Sequence, residues 1–524
     1  MTRRRSIAVL LFLTAAAAIA IQGYHPGLED DAFYLAAIKR DLNPALYPHD
    51  ADFFRLQFQA TIYDKLIAAS IRLTHLPPDV AIFLWQFATT LAILAACYQI
   101  ACRCFNKPEA HWAAVLTVAA LLTIPVSGTG ISLTDQYLHP RALATAAILA
   151  AIISILDGRR ARAAIFLVIA ASMHIIMAAY GISLAIFLVW NSTAEKYPGE
   201  KCGDGRPRPS SGAKLRSNAA ILTTAALPLP WLFQPTTEAW REAASTRHFY
   251  FITHWPWYEW LGVIAPFFIL YYFARQARRD NPTRARLATS LLYYAIFQLA
   301  VALIVLLPPQ LERLRPFEPM RYLHLVYLFM FLLAGGLIGQ HILGKQGWRW
   351  LLFFIPLSAG MFYTQRQAYP STAHLELPGR APSNDYLRAF AWIRGSTTRG
   401  STTVDGEPRP NTPTDALFAL DPYYMEQPGE DFHGFRALAE RSALADMIKD
   451  PGMVARVPTL AERWQSEVNA TKNWQDFRPA DFQSLKNSFG VSWVVLAKSN
   501  AASDPTADMI CPYQNQTVKV CRVE

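Results

Sequence analysis

Apolar runs near twenty residues recur along this chain of 524 residues, and they restrict its fold more than any motif does. A helical run of that length crosses a hydrocarbon core about 30 Å thick. No water reaches the backbone there, so each run must satisfy its own N–H and C=O groups, which a helix does within one segment. Composition agrees: 52% of residues are hydrophobic and only 17% charged, against roughly 25% charged in soluble domains. The fold class expected is therefore a polytopic α-helical membrane protein in contact with membrane lipids. The net charge of +10 does not point to nucleic acid. The basic residues gather in alternate short loops, where the positive-inside rule expects them.

Arg3, Arg4 and Arg5 precede a run from Ser6 to Ile21, read as an uncleaved first helix with its N-terminus cytoplasmic. Residues 54–76 read as an amphipathic helix at the interface. Spans follow over 80–100 and 112–126, and another ends at Arg159. Residues 163–190 run from one basic loop to another, so they must cross an even number of times. Two short helices turning near His174, or a re-entrant hairpin, would do this. Spans over 218–233, 257–273, 287–307, 322–342 and 348–363 bring the total to about 11 crossings. An odd total places everything after Tyr363 outside, on the same face as the acidic stretch. The organisation expected is a transmembrane domain over 1–365, a linker over 366–379 and a small α/β domain over 380–524. In that last part LRAFAWIRGST reads as an amphipathic helix, and DALFALDP, VSWVVLAK and TVKVCRV read as strands. Cys511 and Cys521 are close enough in sequence for a disulfide in an oxidising compartment. The spacings of the other cysteines fit no zinc site.

The densest chemistry lies in the first polar stretch, residues 23–54, which carries Glu29, Asp30 and Asp31, then Asp41, Asp50 and Asp52. Adjacent carboxylates repel, which raises one pKa toward the range of a general base. The same pair also suits a divalent cation. Three further loops on the same predicted face carry Asp135, His139 and Arg141; Arg247, His248, Tyr250 and His254; and Glu312, Arg313, Arg315, Glu318 and Arg321. Arginine suits phosphate because its planar fork meets two oxygens at once. Plainer readings stand beside these. Asp135–Arg141 is also a helix cap with an ion pair, and His174 a hydrogen-bonded core histidine. Arg315 and Arg321 also suit headgroup anchoring, and FYFITHWPWYEW an interfacial aromatic belt. Asp421, Tyr423, His433, Arg436 and Arg441 read either as an ordinary turn and helix or as a cluster that closes over the cavity.

An acidic doublet in the first external loop after a single N-terminal helix resembles the C-type (GT-C) glycosyltransferase superfamily. The span count, the interfacial helix and the outward C-terminal domain are similar too, so the resemblance covers most of the chain. The stretch FHGFRALAERSALADMIKDP resembles the tail of uncharacterised bacterial membrane proteins of that type. The WWDYG-type signature of oligosaccharyltransferases is absent from the sequence, which sets protein N-glycosylation apart. The resemblance implies transfer of a hexosyl or pentosyl group from a polyprenyl-phosphate donor to a glycan, lipid or protein acceptor. Asp30 and Asp31 are the matching catalytic carboxylates, with Glu29 a third member. Arg247, His248, Arg315 and Arg321 are assigned to the donor phosphate by topology alone. Asp135, His139, Arg141, His174 and Arg436 complete the substrate-binding set. The superfamily admits a divalent cation but does not require one. Two other readings compete: a transporter or flippase for a lipid-linked or anionic solute, for which inverted repeats would be the sign, and a non-catalytic protein of the same architecture.

Overall fold

The computed structural model describes residues 2–54, 59–194, 236–395, 412–498 and 509–524. The span read over 218–233 and the basic loop before it lie outside the described residues. Among those described, six helices are long and apolar enough to cross a membrane: Arg4–Gln22, Pro78–Cys104, Ile175–Ser192, Trp257–Arg278, Pro282–Leu306 and Pro319–Leu343. The other expected crossings fall on helices that are shorter or more polar. The one read over 112–126 is the 13-residue helix Pro108–Ala120, about 20 Å long. It stops because the chain turns at Leu121 into a short hairpin, β1 (Pro125–Val126) and β2 (Ile131–Ser132). At His174 the backbone is extended and divides the 163–190 run into Arg160–Met173 and Ile175–Ala194. Gly335 and Gly336 lie against Thr117 and Phe105, where a Cβ would collide. Small residues let the helix Pro319–Leu343 approach Pro108–Ala120 closely, the usual means of packing where both flanking phases are apolar.

The C-terminal part contains a five-stranded mixed sheet. Its strands are β3 (Leu417–Ala419), β4 (Ser442–Ala443), β5 (Trp493–Ala497), β6 (Tyr513–Gln514) and β7 (Val518–Arg522), in the order β4-β3-β5-β7-β6. β3 runs parallel to β4 and β5, while β7 is antiparallel to β5 and β6. In the register Leu417 faces Ser442 and Val494 faces Cys521. β3 and β5 are buried apolar runs, as strands covered on both faces should be. The helix Asp385–Arg394 packs Phe390 and Ile393 onto one face of the sheet, with Phe418, Val495 and Val520. Phe482 and Leu485 cover the other face. Cys511 and Cys521 form a disulfide.

The acidic stretch joins the two parts. α1 (Thr2–Gln22) ends at Gly23, and α2 (Asp31–Leu42) begins seven residues after Tyr24. Between them Gly27 adopts φ +81° and Glu29 φ +52°, so the loop needs left-handed turns that glycine accommodates without strain. Its backbone is stitched to two distant segments. Tyr24 N–H donates to His374 O (3.0 Å) and Glu376 N–H to Tyr24 O (2.9 Å). Glu29 N–H donates to Phe432 O (2.9 Å) and Gly434 N–H to Gly27 O (2.8 Å). The start of α2 is thereby held beneath the C-terminal part.

Candidate functional site

A cavity of 620 Å³ opens where four polar loops meet the C-terminal part. That volume lies within the range usual for small-molecule sites, roughly 300–1,000 Å³. The first loop contributes Glu29 and Asp30 from the turn that starts α2, along with Tyr34 one turn on. The hairpin supplies Gly128 and Gly130, both at positive φ, where Trp255 and Phe249 lie too close to admit a Cβ. Only glycine allows those two aromatic rings to wall the cavity.

Asp135 and Arg141 line the same cavity, and their guanidinium–carboxylate contact is 2.6 Å. His139 caps the helix Pro140–Leu156, its Nδ1 accepting from Arg141 N–H at 2.9 Å. An accepting Nδ1 makes His139 a neutral imidazole. Burial, reinforced by Arg141, holds its pKa well below the usual histidine range. A cation in the first turn of a helix opposes the helix dipole, and Asp135 compensates for it. The cap and ion pair are therefore present, and Asp135 and Arg141 also border the cavity, whereas His139 does not.

From the third loop Arg247 and His248 line the cavity, as do Glu318 and Arg321 from the fourth. Glu318 lies at φ +53° and binds both Arg321 (2.5 Å) and Arg456 (3.0 Å). Arg456, Lys449 and Gly452 come from the C-terminal part and close one side. Arg247 reaches the same segment by donating to Lys449 O at 2.8 Å. Lys449 and Arg456 were not among the residues singled out by sequence. Lys449 precedes and Arg456 ends a helix of seven residues, Asp450–Arg456, and only tertiary contact sets it beside the membrane loops.

Asp30 and Asp31 part company. The Asp30 side chain is 42% exposed to the cavity and lies 3.7 Å from Lys449. Its pKa falls well below the usual carboxylate range: burial opposes ionisation, but Lys449, Arg321 and Arg456 overcome it. Asp31 turns the other way and does not line the cavity. Its Oδ2 accepts from Gly27 N–H at 2.6 Å, which fixes the loop. Burial pushes the Asp31 carboxyl up to about 7, despite the Gly27 hydrogen bond and Lys39. Glu29 lines the cavity and pairs with Lys449.

Four residues read as substrate-binding do not line the cavity: His139, the helix cap described above, and His174, Arg315 and Arg436. His174 stacks on His139 with ring centroids 6.2 Å apart, behind the wall. Arg315 lies over the Phe251 ring at 5.0 Å. Arg436 is locked into the C-terminal core by Asp50 and Asp450, with its guanidinium over Phe53. A guanidinium whose N–H groups face two carboxylates and the Ala443 carbonyl has nothing left to offer a ligand. Arg436 is therefore a structural residue, which corrects its assignment to substrate binding. By contrast, Arg141 Nε and Nη1, Arg247 Nε and Arg321 Nε are buried with no hydrogen-bond partner among the described residues. Buried N–H donors without partners are costly and call for a ligand or water. Here they cluster around one cavity.

Fold and site together define a class: a largely helical protein with membrane-crossing helices, whose polar loops and α/β part close around one charged cavity. No protein-family model and no curated protein matches the chain. Among solved structures it is similar to an oligosaccharyltransferase of Archaeoglobus fulgidus in its apo form. The TM-score is 0.36 and the identity 12%, over 94% of this chain and 69% of that one.

Proposed function

We propose that the protein is an integral-membrane glycosyltransferase of the GT-C type, moving a sugar from a polyprenyl-phosphate donor to an extracytoplasmic acceptor. One observation carries the reading: a carboxylate held acidic by its neighbours, Asp30, shares a 620 Å³ cavity with guanidinium N–H groups that lack partners among the described residues. That is the complement needed for inverting attack at a sugar carbon that bears a phosphate leaving group. The acceptor hydroxyl attacks the anomeric carbon and its proton passes to Asp30. The C–O bond to the lipid phosphate breaks, and Arg141, Arg247 and Arg321 stabilise the departing anion. Before the donor binds, Lys449 and the arginines hold Asp30 too acidic to be an effective base. A donor phosphate draws on the same cations, so Asp30 becomes more basic as the complex forms. The cavity suits a sugar-phosphate head, and the polyprenyl chain would lie outside it along the apolar helices. On this reading the N-terminus is cytoplasmic and the C-terminal part faces the acceptor. A divalent cation is not required by this scheme.

The test is transfer by purified protein supplied with polyprenyl-phosphate sugars. Asp30→Asn lowers kcat by about 10²–10⁴-fold, the usual worth of a general base. Asp31→Asn, which changes a residue outside the cavity, leaves kcat within about tenfold of the parent. Full activity in Asp30→Asn would disprove the base assignment.

A further inference from the structure

A second cluster lies apart from the cavity, at the seam where three chain segments meet. His25 comes from the first loop, Glu376 from the segment after the last long helix and His433 from the C-terminal part. One ligand atom from each lies within 4.8 Å of the other two. Glu376 Oε1 is 2.7 Å from His25 Nδ1 and 3.2 Å from His433 Nε2. Both histidines are fully buried, and the Glu376 side chain is 16% exposed.

We propose that these residues bind one zinc-class cation that staples the membrane part to the C-terminal part. The inference is independent of whether the protein transfers sugars. Two imidazoles with one carboxylate favour zinc or a neighbouring transition metal over calcium or magnesium, which take oxygen ligands. Tetrahedral zinc with bonds of about 2.0–2.2 Å sets its ligand atoms roughly 3.4 Å apart. The observed separations need only small side-chain rotations to reach that value. Glu430 Oε1 lies 3.2 Å from His433 Nδ1, at ion-pair distance but outside hydrogen-bond geometry, so a small ring rotation would give His433 the outer partner such a ligand needs. Glu430 is itself buried and held by Asn384 at 3.1 Å. A carboxylate behind a ligating histidine fixes the ring and raises its basicity. His25 Nδ1, the nitrogen beside Glu376, is the one placed to ligate, while its Nε2 is buried with no partner among the described residues. The charges balance as well, since Glu376 and Glu430 together match a dication between neutral imidazoles.

The backbone brings the ligands together before any ion binds. Tyr24 and Glu376 are bonded on one side of His25, and Gly27 and Gly434 on the other. An isolated antiparallel bridge pairs Leu28 with His433 directly. Glu376 also borders a second pocket of 160 Å³. Five residues beyond His25 lies Asp30, so the staple also sets where the acidic turn sits.

The experiment uses full-length, untagged protein in detergent, stripped with a chelator and titrated with zinc against a chromophoric competitor. The parent takes up one zinc per chain, and its thermal midpoint rises with zinc but not with magnesium. Glu430→Gln weakens binding by about 10–100-fold, as loss of an outer-shell partner does, and Glu376→Gln weakens it by more than about 100-fold. No uptake by the parent, or parental affinity in Glu376→Gln, overturns the proposal. If Glu376→Gln does not fold, cobalt titration of the parent replaces it. Visible bands of imidazole-bound tetrahedral cobalt that saturate at one equivalent are expected, and their absence overturns the proposal.

Discussion

At the scale of single residues, two adjacent aspartates with the same chemistry face opposite directions. Periodicity cannot separate Asp30 from Asp31, because the turn that splits them depends on Glu29 and Gly27 in left-handed conformations. Those conformations are held by hydrogen bonds to residues about four hundred positions away (Phe432 and Gly434). The arginines divide in the same manner. Arg247 borders the cavity with an Nε unpartnered among the described residues, so on the proposed reading Arg247→Gln removes a charged hydrogen bond to the donor. The expected loss is about 1.5–3 kcal/mol, read as roughly a 10–100-fold fall in kcat/KM for the donor, with the fold intact. Arg436 behaves otherwise. Replacing it with leucine strands Asp50 and Asp450 in the core, at a cost of about 3–5 kcal/mol. Chemical unfolding in detergent should show that loss even where no substrate is present.

At the scale of elements, α2 connects the membrane part to the C-terminal part. Its first turn carries Asp31 and its last turn Lys39 and Arg40, each matched to the helix dipole. Lys39 is buried and reaches across to the C-terminal part, donating to Ala437 O at 2.7 Å and pairing with Glu440 at 2.8 Å. Burial pushes the Glu440 carboxyl up, but Lys39 and Arg394 more than reverse this, so its pKa lies below the ordinary 4.5. A depressed carboxylate stabilises the folded protein above its unfolded pKa and ceases to do so as pH falls through the folded value. Glu440→Gln should therefore lower the thermal midpoint at pH 7, and the gap from the parent should close as the pH falls below the ordinary glutamate value and through the depressed folded one. A gap of constant size across that range would show that the pair contributes nothing through charge. The strands β3, β5 and β7 coincide with the runs read from sequence, because buried apolar runs bounded by turns carry a local signal. The hairpin of β1 and β2 gave none, since two-residue strands have no period to detect. The helix Pro108–Ala120 ends early for a related reason. Its apolar run continues in sequence, while the chain leaves the helix to form the cavity wall.

At the scale of the whole molecule, the long apolar helices and the charged cavity at one end of them call for a test of orientation. On the proposed topology the exposed thiol of Cys102 is cytoplasmic. An impermeant maleimide should label it only after the membrane is opened. Gln483→Cys, on an exposed helix face of the C-terminal part, should react in intact cells when Cys102 is serine. Labelling of Cys102 in intact cells would invert the topology and place the cavity in the cytoplasm. By itself, the sequence determined the membrane-spanning character, the positions of most long helices, the strands of the C-terminal part and the loops that hold charge. Each of these is local: hydropathy over twenty residues, a run of buried residues, a cluster of carboxylates. Tertiary structure decided which charges share a cavity. Lys449 and Arg456 arrive from a short helix far along the chain, Arg436 is consumed by the core, and Asp31 turns back on its own loop. Those outcomes depend on contacts between residues hundreds of positions apart, and no local pattern encodes the direction in which a side chain will point.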